Sequence, residues 1–157
     1  MATTALRQDA GEYKQIGLPE GRHTLAQNYT YTQDVVPVEK VAGQIVFDAS
    51  KVGTDLIIKF SASVTPSAVA TTEVRLYDRG ASATPAASNL VATLSTATSG
   101  LEILSETLTA VVDPSAGWPD NNQIYTAARI YEVRVYMSSS SGDTVYVGQA
   151  AIEVEIP

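Results

Sequence analysis

The sequence predicts an all-β protein, an antiparallel β-sandwich of jelly-roll or immunoglobulin-like Greek-key type with about seven strands and an extended N-terminal arm. Three observations carry that prediction. Short segments alternate apolar and polar side chains with period two. They recur at about 8–12-residue spacing between Gly, Pro, Ser, Thr and Asp clusters. No segment develops the i, i+3, i+4 apolar stripe of an amphipathic helix. At 157 residues and 45% hydrophobic content, one domain with its own core is expected.

Residues 1–34 mix Gln, Thr, Gly and scattered charges with isolated Tyr13, Ile16, Leu18, Leu25, Tyr29 and Tyr31. Apolar residues without a period cannot bury a face, so this stretch is expected to be an arm, with the sandwich domain at 35–157. The border falls at Val35-Val36-Pro37-Val38, where Pro37 imposes extended backbone. Fully extended, such an arm reaches on the order of 110 Å. It can dock single side chains on a neighbour or add a strand to a neighbour's sheet. Asn28-Tyr29-Thr30-Tyr31-Thr32 alternates as an added strand would, and the same residues could instead pair within their own sandwich. Leu18, Tyr29 and Tyr31 are the expected partner contacts of the arm.

Strands are expected at 44–48, 56–64, 73–78, 90–94, 103–112, 130–137 and 144–156. The second shows why: Leu56, Ile58, Phe60, Ala62 and Val64 form one face, and Lys59, Ser61 and Ser63 lie on the other. Residues 81–87 are alanine-rich, but Pro85 interrupts them and a loop is expected. Between 113 and 123, Asp113, Asp120, Asn121 and Asn122 lack the alternating spacing of a calcium loop, and Pro114 and Pro119 stiffen the segment instead. The last two strands read as a hairpin closed by 138–143, with Gly142 free to take positive φ. Tyr131, Val133, Val135 and Met137 line the buried face of one, and Ile152, Val154 and Ile156 that of the other. Glu153 and Glu155 are then the charged outer face of an edge.

Little in the chain can carry chemistry. Cysteine is absent, and the single histidine, His23, sits between Arg22 and Thr24 with no second histidine to complete a triad or share a metal. Ser138 to Ser141 have no base, and neither a nucleophile elbow nor a glycine-rich phosphate loop occurs. The expectation is a protein without enzyme activity, cofactor or metal. The net charge of −7 repels phosphate backbones and anionic membranes, and no apolar run approaches the ~20 residues that span a bilayer. Neither nucleic acid nor membrane is an expected partner. Met1 to Arg7 lack the basic-then-apolar layout of a signal peptide, so the glycosylation pattern Asn28-Tyr29-Thr30 reads as a chance match.

Trp118, between Gly117 and Pro119, is either a contact anchor on a rigid loop or a lid over one end of the core. The tyrosines are spread over several strands and both faces, which suits packing better than a sugar platform.

Taken together, a cysteine-free, acidic, Thr/Ser/Ala-rich sandwich with a long arm resembles the accessory structural proteins of tailed-bacteriophage virions, particularly head decoration or cement proteins. That resemblance implies a virion protein made in the host cytoplasm, with the major capsid protein or other virion subunits as partners and a homodimer or homotrimer as its state. Tyr131-Glu132-Val133-Arg134-Val135 followed by a Ser/Gly turn is similar to the penultimate strand of immunoglobulin-like sandwiches, whose cysteine pair is missing. On that ordering, 65–72, 96–100 and 138–143 form a small, polar pole facing outward, while 80–89 and 113–123, with Trp118, form a pole facing the assembly. Two other functions fit the same sequence, a carbohydrate-binding or adhesion module of a tail or surface appendage, and a neck or tail component.

Overall fold

A computed structural model describes residues 6–9, 12–15, 21–81, 88–112, 118 and 120–157. Strands β1 (Leu6–Asp9) and β2 (Glu12–Gln15) pair antiparallel with each other. The sandwich follows: β3 (Gly21–Thr32), β4 (Lys40–Asp48), β5 (Ile57–Pro66), β6 (Thr71–Asp78), β7 (Asn89–Thr96), β8 (Glu102–Val111), β9 (Gln123–Tyr125), β10 (Ala128–Ser138) and β11 (Thr144–Glu155). One sheet has the order β3-β11-β5-β8-β9 and the other β4-β10-β6-β7.

This order decides between the two sandwich types. With the short parallel β9 set aside as an insertion on the β8 side, eight long strands remain. The first, eighth, third and sixth of them form one sheet, and the second, seventh, fourth and fifth the other. That is the double Greek key of a jelly roll. The connections 33–39, 67–70, 97–101 and 139–143 gather at one pole, and 49–56, together with the described residues 79–81, 88, 112, 118 and 120–122, at the other. Hydrogen bonds join the first group: Gln33 N to Asp143 O at 2.9 Å, Ser67 N to Thr144 O at 2.8 Å, and Gly100 N to Pro66 O at 3.1 Å.

All seven strands read from the sequence are present. β5 shows the reason, since every second residue from Ile58 to Pro66 is buried, and the inward row packs against Val74, Leu76, Val133, Val135 and Met137 of the facing sheet in one core.

Three expectations change. The sandwich begins at Gly21 and not at 35, because β3 pairs along its length with β11, from Thr32↔Thr144 to Gly21↔Val154. A bulge at Ala150/Ala151 shifts the burial phase, so the strand reads in sequence as aperiodic. Second, 130–137 and 144–156 are not a hairpin. β10 and β11 lie in different sheets, and 139–143 crosses between them with Gly142 at φ +91°. Tyr136 and Tyr146 consequently do not pair: an Arg75 guanidinium lies 4.7 Å from the Tyr136 ring, and the Tyr146 hydroxyl donates to Asn28 Oδ1 at 2.6 Å. Third, β11 is an interior strand, so Glu153 and Glu155 make cross-strand pairs with Arg22 (2.8 Å) and Lys59. Ile156, expected to be buried, lies beyond β11 and is exposed.

At the second pole the core ends in an ion pair. Asp78 is fully buried, takes Arg129 Nε on Oδ2 at 2.6 Å and takes the Gly80 amide on Oδ1 at 2.7 Å. The Arg129 guanidinium also lies 4.8 Å from the Tyr125 ring. Asp78→Ala removes a buried carboxylate from both the Arg129 guanidinium and the Gly80 amide and is expected to cost about 3 kcal/mol, measured by urea unfolding.

Candidate assembly surfaces

The expected arm contacts are placed as follows. Leu18 lies outside the described residues. Tyr31 is a core residue, fully buried on β3, with its hydroxyl donating to Val38 O at 2.8 Å. It cannot reach a partner, because inward-facing positions of β3 close the edge of the sandwich. Tyr29 is partly buried against the same core. Burial pushes the Tyr29 phenol up, with Lys40 opposing and Tyr31 adding to the rise. Trp118 is 39% exposed, with the Arg129 guanidinium 5.6 Å from its ring. The residues on either side of it, and 82–87, lie outside the described residues.

The pole expected to be small and polar carries the apolar tips. Val35 is 87% exposed, Val36 68%, Val69 77% and Leu101 70%, and they sit on three of its four connections. In the sequence Val35 and Val36 mark the expected boundary at Pro37, and Val69 and Leu101 are hidden among Ser, Thr and Ala. The signal was there, in β-branched and aliphatic residues at turn positions, where the chain gains nothing by hiding them.

The 33–39 connection is clamped. Gln33 is buried; its side chain donates to Ser139 O at 3.0 Å and accepts from Ser139 N at 2.6 Å. Lys40 Nζ donates to Thr32 O at 2.7 Å and pairs with Asp34 at 2.9 Å. Glu39 is held on the outer face of the β4-β10-β6-β7 sheet by Arg134 Nη1 (2.7 Å), Arg75 Nη1 (2.9 Å) and the Tyr77 hydroxyl (2.9 Å). Each arginine is shared with a second carboxylate, Arg134 with Glu132 and Arg75 with Glu73, and Gln44 also donates to Glu132. The sequence shows Glu132 and Arg134 on the outer face of β10, but their union with Glu39 needs the fold.

Burial alone would raise the Glu39 carboxyl, yet hydrogen bonds from Arg134, Arg75 and Tyr77 outweigh it and hold its pKa below the ordinary carboxylate value of 4.5. A carboxylate depressed on folding contributes stability above its unfolded pKa, and loses it as pH falls through the folded one. Glu39→Gln is therefore expected to lower Tm at neutral pH and to converge with the parent chain below the ordinary carboxylate range. Thermal melts across an acid series check this.

At the opposite pole, a groove of about 620 Å³ lies between the 49–56 connection and the β5/β8 strands, lined by Ala49, Val52, Leu56, Ile57, Leu108 and Thr126 among others. Its described lining has no titratable side chain, so it offers neither an acid nor a base. Among the described residues no three His, Cys, Asp or Glu side chains come together as metal ligands.

No protein-family model and no curated protein matches the sequence. The fold is similar to solved structures of infectious bursal disease virus. These include the Gx strain (TM-score 0.53, 14% identity, 99% of this chain and 38% of that one). The viral particle described as a missing link in icosahedral virus evolution gives a TM-score of 0.54 at 13% identity, over 99% of this chain and 36% of that one. A VP2 protein variant in derived T=1 particles gives 0.50 at 13% identity with the same coverage. All are proteins of viral particles. At such identity the likeness is one of fold, and the chain spans little more than a third of the length of the proteins it matches.

Proposed function

We propose that this chain is a non-enzymatic structural protein of a virion, one that binds the capsid lattice and stabilises it as a decoration or cement protein. The observation that carries the reading is one pole of the jelly roll, where Val35, Val36, Val69 and Leu101 stand exposed on three connections. Its likeness in fold to proteins of viral particles supports the virion setting, although the same architecture serves other roles. The described lining of the groove between the 49–56 connection and the β5/β8 strands has no titratable side chain, which supports a mechanical role. Contacts made only in the assembled shell would stabilise it by mass action.

The reading places the chain in particles, with other virion subunits as partners and synthesis in the host cytoplasm. It is tested by separating particles from soluble protein on a density gradient, in cells that produce the chain from its own genome, and quantifying the chain by mass spectrometry. A fixed copy number in the particle fraction is expected. Recovery in the soluble fraction alone rejects the reading. The adhesion alternative predicts glycan affinity through an exposed aromatic platform. Tyr77 and Tyr136 do share the outer face of the β4-β10-β6-β7 sheet, but Arg134 and Arg75 stack on them at 4.2 and 4.7 Å.

A further inference from the structure

We draw no further inference here: the strongest candidate, the groove of about 620 Å³ between the 49–56 connection and the β5/β8 strands, is lined by aliphatic and hydroxyl side chains with no titratable group among them, and nothing in the structure shows what covers it.

Discussion

Deleting residues 2–34 is expected to abolish the cooperative unfolding transition, while deleting 2–20 leaves it in place. The longer deletion removes all of β3, which is the outer partner of β11 from Gly21 to Thr32. It takes Leu25, Ala26 and Tyr31 out of the core, and burying a large side chain such as Tyr31 is worth about 3–5 kcal/mol by itself. It also strips β11 of one ladder of hydrogen bonds and exposes an apolar strand as a new edge. The total exceeds the ~5–15 kcal/mol by which a domain of this size is stable. β1 and β2, by contrast, pair only with each other among the described residues. Calorimetry on both truncations decides the matter. A folded product of the longer deletion would mean that β3 is dispensable and the sandwich begins later than Gly21.

Gly43→Ala is expected to destabilise the chain by more than about 4 kcal/mol, well above a typical overpacking cost. Gly43 lies on β4, where the two sheets close on each other along the β3/β4 side. An added Cβ would stand 1.9 Å from the Leu25 carbonyl oxygen and 3.0 Å from its carbon, both backbone atoms. No rotamer change can clear them. Either β3 leaves β11 or β4 leaves β10, and each displacement opens the core that Leu25 and Phe47 fill. The neighbouring bulge, where pairing passes from Val133↔Gly43 to Arg134↔Val41, bends β4 into this approach. Equilibrium urea unfolding of the variant measures the effect. A loss below about 1 kcal/mol would mean that the sheets have room to separate at this edge.

Both predictions turn on β3 and β4, the part of the fold least legible in the sequence. β5 and β6 alternate without interruption, and their period-two rows predict their inward faces correctly. β3 does not alternate, since Leu25 and Ala26 are both buried across the bulge and Asn28 takes φ 51°, so the segment looked like an arm. The hairpin expected at 138–143 is absent for a related reason. A short connection with a glycine looks the same whether it joins neighbours in one sheet or crosses to the other sheet, and only the order of strands separates them. Sheet order, a long-range property, also hid the site. Glu39 meets Arg75 and Arg134 across 36 and 95 residues, and the four apolar tips come from connections that are scattered in sequence. Trp118, singled out as a lone aromatic, sits at the pole that does not carry them.

We propose that the chain works as a building block of a viral particle. Electron cryomicroscopy of particles purified from cells that make it tests this most directly. Density for a jelly roll of this topology is expected at symmetry-related positions, with the 33–39, 67–70 and 97–101 connections buried against neighbouring subunits. Particles without such density, while the chain accumulates in the soluble fraction of the same cells, would contradict it.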